Sequence, residues 1–218
     1  MTIVATNTDG LRQARRALDA GRPIVLSGRP PLAYLVAAKD AAVVNLAKGR
    51  PADQPAGMAI ADFSLVAPHL ALDADSVELA RWLAADELVN LMVPIAAHAP
   101  RWMHSAATGG FLGVSLAWGE QTYSLLEEHE RIFVSSANHT GGEVATTAAA
   151  ANAAFDDQLL VIDGDRWRDP AAPSSSGTII KITSHRTLDL VRHGIHDHQQ
   201  HDSESYLREL VECWSQRS

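Results

Sequence analysis

Residues 133–147 read FVSSANHTGGEVATT, and how this stretch is read decides the fold. Ile132, Phe133 and Val134 are β-prone, small polar residues follow, and the Thr/Ala run beyond Gly141 and Gly142 can start a helix. The expectation is a strand opening through a glycine turn into a helix. Such a turn is either an ordinary connection or a cradle for an anion. Ser135, Ser136 and Asn138 bring hydroxyl and amide groups, and glycines let backbone amides approach a ligand with no Cβ in the way.

A second stretch, LAKGRPADQ at residues 46–54, supplies positive charge. Lys48 and Arg50 are two apart, so extended backbone would point both to one face, where they could grip neighbouring phosphate oxygens. The alternative is a basic surface turn that ends at Pro51.

A chain with KGRP in its first quarter and SSANHTGG two thirds along resembles the YrdC-like family of threonylcarbamoyl-AMP synthases. That family sets a Lys-x-Arg opposite a Ser-x-Asn, and the matching positions are Lys48, Arg50, Ser136 and Asn138. Ala59 and Ile60 resemble the strand after the Lys-x-Arg turn, and Gly113 and Val114 the start of a Gly-Val-Arg-Val strand. Thr178, Ile179 and Ile180 look like its Ser-Thr-hydrophobic strand, and RHGI at 192–195 like its closing Arg-x-Gly-hydrophobic element. The likeness spans residues 9–195. The departures are specific. Where family members carry Pro-Thr-Asp-Thr-x-Tyr-Gly, associated with the threonine substrate, residues 29–35 read RPPLAYL and only Tyr34 is kept. Cations of the family pattern are replaced by Gln54 and Ser115, its serine before Thr178 is Gly177, and its Trp-Pro-Gly-Pro-Leu-Thr segment has no counterpart near residues 91–100.

The resemblance implies an α+β fold, a twisted mixed β-sheet with flanking helices around a concave, positively charged cavity. It implies a nucleotidyltransferase reaction in which bicarbonate, an amine or amino acid and ATP yield an aminoacyl-carbamoyl adenylate and pyrophosphate. This is the first step of tRNA threonylcarbamoyladenosine-type modification. With the 29–35 loop altered, the amine need not be threonine. Lys48, Arg50, Ser135, Ser136, Asn138, Thr178 and Arg192 would bind nucleotide, with Lys48, Arg50, Ser136 and Asn138 at the reacting groups and Tyr34 at the substrate. Magnesium would accompany ATP, with no dedicated protein metal site. A catalytically weak nucleotide- or RNA-binding relative, or a regulatory subunit working with tRNA-modification partners, are the alternatives.

The chain has 218 residues, 46% of them hydrophobic, enough for one full-sized core, and the expectation is one domain at 1–195 followed by a polar tail at 196–218. Neither a membrane span nor a signal peptide is indicated, which suggests a cytoplasmic protein. Its single cysteine, Cys213, cannot form an internal disulfide. A formal charge of −8 argues against sequence-independent nucleic-acid binding, though not against a local basic pocket.

Periodicity predicts a helix capped by Asp9 and stopped by Gly21, with Leu11, Ala14, Ala17 and Leu18 inward and Arg12, Arg15 and Arg16 outward. Strands are expected at 23–27, 57–61, 92–95, 113–117, 159–163, 178–182 and 187–191. Helices are expected at 40–47, from 75 or 76 toward 91, at 121–129 and at 146–155 with Thr146 or Thr147 as cap. Residues 96–110 read as a loop or a cap over the site, and Ser174, Ser175 and Ser176 as linker or phosphate contacts. His193, His196, His198 and His201 with Asp197 and Asp202 are either a polar tail or a metal set. A last helix capped near Ser203, with Tyr206, Leu207, Leu210, Val211 and Trp214 as its apolar stripe, docks on the body or makes a homodimer.

Overall fold

In the computed structural model the described residues, 3–197 and 202–217, form ten strands and seven α-helices. In chain order these are β1 (Ile3–Ala5), α1 (Thr8–Asp19), β2 (Ile24–Ser27), β3 (Tyr34–Ala38), α2 (Ala41–Ala47) and β4 (Gly57–Ile60). Next come α3 (Ala74–Ala85), β5 (Asn90–Pro94), α4 (Arg101–Ala106), β6 (Phe111–Ser115), α5 (Tyr123–His129) and β7 (Arg131–Ser136). The chain closes with α6 (Ala148–Ala153), β8 (Leu160–Asp163), β9 (Ile179–Thr183), β10 (Thr187–Arg192) and α7 (Ser203–Ser215). This is the expected α+β class, twisted mixed sheet with flanking helices. The chain divides into two compact units, Met1–Asp62 with Ala117–Ser176, and Phe63–Leu116 with Gly177–Ser218.

In the first unit the strand order is β1-β8-β2-β3-β7-β4. β1, β8 and β2 run parallel, and β2, β3, β7 and β4 pair antiparallel. The continuous apolar runs of β2 and β8 suit strands covered on both faces. On one side Ala14, Ala17 and Leu18 of α1 and Leu125 and Leu126 of α5 pack with Ile24, Leu26, Ile132 and Trp118. On the other, Val44 of α2 and Ala148, Ala151 and Phe155 around α6 pack with Val25, Val36 and Val161. Each large apolar side chain so buried stabilises the fold by roughly 1.5–3 kcal/mol. The α1 cap is Asn7, two residues before the expected Asp9, because the Asn7 side chain accepts the Gly10 amide. Asp9 instead pairs with Arg12, while Arg15 pairs with Glu128.

In the second unit the order is β6-β5-β9-β10, with β5 and β9 parallel and the outer pairs antiparallel. Leu91, Val93, Leu112, Val114, Ile180 and Ile182 are buried, with α3 against β5 and β9 and α4 against β6. Tyr206 and Leu210 of α7 are buried, α7 contacts β10, and Trp214 lies 5.6 Å from Trp82 of α3 between ring centroids. The last helix therefore docks on its own chain.

Four elements depart from the sequence expectations. β1 and β3 are strands by virtue of partners: β3 (YLVAA) has no alternation of its own and is held between β2 and β7. α4 arises in the stretch read as loop or cap, starting after Pro100 and too short at 6 residues to show a period. α3 stops at Ala85 rather than running toward Leu91, because Leu88 turns the chain at φ 55° and residues from Asn90 join β5.

Candidate functional site

Asp40 caps α2 by accepting the Ala42 amide, and the helix ends with Lys48 as its C-cap, in the bridge region of backbone conformation (φ −89°, ψ 2°). Gly49 then reverses the chain at φ +67°, in the left-handed region that favours glycine. Lys48 and Arg50 are thus neighbours across a helix C-terminus and not on an extended strand, which corrects the geometry expected from their spacing. Asn45, fully buried, braces the turn: its Nδ2 donates to Ala52 O (3.2 Å) and Gln54 O (2.6 Å), and its carbonyl accepts the Arg50 amide.

Both cations reach the end of β7. Lys48 is 1% exposed, and its Nζ donates to Ser136 O, Asn138 O (2.6 Å) and Asn138 Oδ1 (2.9 Å). An ammonium has three protons, so these acceptors account for all of them. Lys48 is therefore a buried tie between the two stretches, and its hydrogens do not point at a ligand. Arg50 is half-buried. Its Nε donates to Thr140 Oγ1 (3.1 Å) and one terminal nitrogen to Ser135 Oγ (3.2 Å). No carboxylate among the described residues pairs with it, and its second terminal nitrogen carries no hydrogen bond there. Burial lowers the Arg50 pKa from its ordinary value, yet a guanidinium keeps its charge at neutral pH.

The Ser136 hydroxyl donates to Asn138 Oδ1 (2.7 Å), and Asn138 Nδ2 donates to Gly142 O (2.7 Å). The turn closes on itself, with the Gly142 amide on His139 O and the Thr140 amide on Lys48 O. Gly141, at φ +83°, supplies the left-handed residue this turn needs. Of the expected cradle, the Gly142 amide is thus internal. The hydrogen-bonding capacity left is the Ser135 hydroxyl proton, the lone pairs of Ser136, one Asn138 amide proton and the spare guanidinium donors of Arg50.

Other candidates have settled elsewhere. Tyr34 is fully buried, its hydroxyl donating to Asp165 Oδ1 (2.6 Å) and accepting from the Gly164 amide (2.9 Å). Burial and the Asp165 carboxylate push its pKa up. It pins the β8–α6 region, so the role expected at a substrate is corrected to a structural one. Thr178 and Arg192 belong to the second unit. Thr178 is fully buried, its hydroxyl donating to Asp197 Oδ1 (2.6 Å) and accepting from the His196 amide (3.2 Å). Arg192 donates to Gly177 O (2.8 Å). A Cβ on Gly194 would sit 2.2 Å from the Thr178 nitrogen, so the RHGI element is a backbone closure on Thr178. Burial by itself would raise the Asp197 pKa, but hydrogen bonds from Thr178, Gly194 and His193 hold it below the ordinary carboxylate value. No group of three or more histidine, cysteine or carboxylate side chains among the described residues could hold a metal ion. His198 and His201 lie outside those residues.

Sequence reasoning missed Asn45, Thr140 and Arg168. Asn45 had a signal, as the one polar residue in AAVVNLA, three before Lys48. Thr140 and Arg168 had none. Ser174 and Ser175 are neither linker nor phosphate contacts here, since they clasp the loop before β3: Ser174 Oγ donates to Pro31 O (3.0 Å) and Ser175 O accepts the Ala33 amide (2.9 Å).

No curated protein sequence matches the chain. P. abyssi Sua5 complexed with L-threonine superposes with a TM-score of 0.65 at 21% identity, covering 88% of this chain and 56% of that one. Full-length HypF in its phosphate- and nucleotide-bound form gives 0.65 at 14% identity, over 87% of this chain and 29% of that one. E. coli YciO gives 0.63 at 15% identity, over 88% and 94%. The chain thus spans little more than half of Sua5, and at these identities the structures establish the fold alone. No described helix is long and apolar enough to cross a membrane. The family model named Sua5/YciO/YrdC, described as telomere recombination, matches residues 17–194, and the chain belongs to that family.

Proposed function

We propose that this chain catalyses ATP- and bicarbonate-dependent formation of a carbamoyl adenylate, a reaction of the threonylcarbamoyl-AMP synthase type that opens tRNA threonylcarbamoyladenosine-type modification. One observation carries the reading: Arg50 is half-buried, has no carboxylate partner among the described residues, and is held by Thr140 and Ser135 with donors to spare. A desolvated guanidinium fixed by neutral oxygens suits an external anion, and each charge-assisted contact it makes would add about 1.5–3 kcal/mol. Relatives support the class of ligand, since Sua5 was solved with L-threonine and HypF with phosphate and nucleotide.

In this reading bicarbonate dehydrates to carbon dioxide, the neutral amine adds to it and loses a proton to solvent to give a carbamate, and the carbamate oxygen attacks the α-phosphorus of ATP. The bond from α-phosphorus to the bridging oxygen breaks, and pyrophosphate leaves with the electron pair. Both reactants are anionic, so the protein acts by holding them together and offsetting charge. Arg50 takes phosphate oxygens. The Ser135 hydroxyl, which accepts from Arg50, keeps a proton to donate to the ligand, and Ser136 and Asn138 orient the reacting end. Lys48 acts from behind, positioning Asn138 and adding positive potential. Magnesium arrives with ATP as a substrate ion.

The test is pyrophosphate release from ATP with and without bicarbonate across a panel of amines. Release that requires bicarbonate and one amine is expected, and ATP binding with no release in any combination would refute the reaction. That second result is the signature of the alternative, a nucleotide- or RNA-binding relative. This alternative is favoured by Gln54, which stands where the family pattern has a cation and offers its carbonyl to Asn45. An RNA titration over salt concentration would identify it.

A further inference from the structure

Arg168 follows the short helical turn Asp165–Trp167. One terminal nitrogen donates to Ser27 Oγ (2.8 Å) and Gly28 O (3.3 Å), the other to Leu32 O (2.8 Å) and Ser174 Oγ. Its Cζ stands 5.7 Å from the centroid of the buried Tyr34 ring. Neither neighbouring carboxylate pairs with it: Asp169, the next residue, accepts the Ala171 amide, and Asp165 accepts from the Tyr34 hydroxyl and the Ala148 amide. Four neutral oxygens from two separate segments therefore close around one planar cation. Carbonyl and hydroxyl oxygens turned inward with no acidic partner are what a protein offers to a ligand's ammonium or guanidinium, and here the chain supplies the cation itself.

The loop is built for this closure. A Cβ on Gly28 would come within 2.7 Å of Ala33 O, so the chain folds back on itself tightly enough to bring the carbonyls of Gly28 and Leu32 onto the same guanidinium. The cradle also adjoins the anion corner. Tyr34, two residues beyond Leu32, accepts the Ala137 amide (2.8 Å), and Leu35 and Val36 pair with Ser136 and Ser135. At a rise of about 3.3 Å per residue, Leu32 is at most about 10 Å along the chain from Leu35, which lies about 5 Å across the strand pair from Ser136.

We propose that Arg168 is a specificity-determining residue: it fills in cis the cation cradle of the Gly28–Leu32 loop, so the co-substrate admitted beside the Ser135–Asn138 corner carries no ammonium or guanidinium held by that loop. This rests on the carbamoyl-adenylate reading and narrows its substrate class. The amine enters neutral or already carboxylated, and a free zwitterionic amino acid is disfavoured.

The experiment uses the full chain and two probes, methylguanidinium chloride and L-threonine, against equimolar potassium chloride. Melting temperature and calorimetric binding are read for the wild type, Arg168→Ala and Arg168→Lys. Neither readout needs ATP turnover, so failure here is separable from failure of the adenylation reading. The wild type is expected to bind neither probe saturably. Arg168→Ala is expected to melt lower and to regain at least half of that loss with saturating methylguanidinium, with Arg168→Lys intermediate and less responsive. Saturable binding of either probe by the wild type, as strong as in Arg168→Ala, would overturn the proposal. So would a folded Arg168→Ala that gains no affinity for methylguanidinium. Should Arg168→Ala not fold, Arg168→Lys decides by the same criteria.

Discussion

The Lys48–Asn138 corner and the Thr178–Asp197 closure both come from segments that resemble one family's nucleotide-binding motifs, and they handle their polar groups differently. At the corner, three of the four residues keep capacity after internal bonding: Arg50 has unused donors, Ser136 has lone pairs and Asn138 has one amide proton. At the closure, Thr178 gives its proton to Asp197 and accepts from His196, Asp197 takes three donors, and Arg192 holds Gly177 O. A motif residue can thus be kept for the fold or for the ligand, and the decisive observation is whether any hydrogen-bonding capacity is left over once the fold is made.

The largest effect that would sharpen this contrast is at Lys48. Replacing it by methionine leaves three buried oxygens without their donor, and the stability measured by urea unfolding should fall by roughly 3–5 kcal/mol. A loss of ligand binding with stability unchanged would break the assignment of Lys48 as a tie. Gly194→Ala should be nearly as severe, about 3 kcal/mol or more, because its Cβ would meet the Thr178 backbone at 2.2 Å. Nucleotide binding in whatever fraction folds should be unaltered. A smaller stability loss, about 1–2 kcal/mol, is expected for Thr178→Val, which leaves Asp197 short of one donor.

Most of the strand and helix positions were legible because hydrophobic runs and caps are local signals: Thr147 accepts the Ala150 amide as the cap expected from TTAAAAN. Which groups meet was less legible. KGRP and SSANHTGG were paired correctly through a family likeness, but the burial of Lys48 was hidden, because it depends on carbonyls that only the β7 turn brings into place. Tyr34 was misjudged for the same reason, since its partner Asp165 lies 131 residues away. Arg168 had no signal at all, because a guanidinium that bonds backbone carbonyls leaves no sequence pattern.

Acid should separate the two regions more gently. Burial lowers the His196 pKa below the ordinary value of 6.5, against the pull of Asp197, so the folded closure favours the neutral ring whose Nδ1 accepts the Thr178 amide. A group depressed in this way contributes stability above 6.5 that is lost as pH falls through its folded value. Hydrogen exchange at Thr178 and Gly194, corrected for intrinsic rates, should therefore quicken as pH drops below 6.5. Exchange at Ala137 and Asn138, whose amides donate to the backbone carbonyls of Tyr34 and Ser136, should change less.

The proposed anion site stands or falls on Arg50. Calorimetric titration with magnesium ATP should show binding by the wild type and by Thr178→Val alike, and a loss of at least about tenfold in Arg50→Ala, whose unfolding free energy should stay within about 1 kcal/mol of the wild type. Equal affinity in Arg50→Ala and wild type would contradict it, because the anion would then be held without the one guanidinium at this corner that has donors to give.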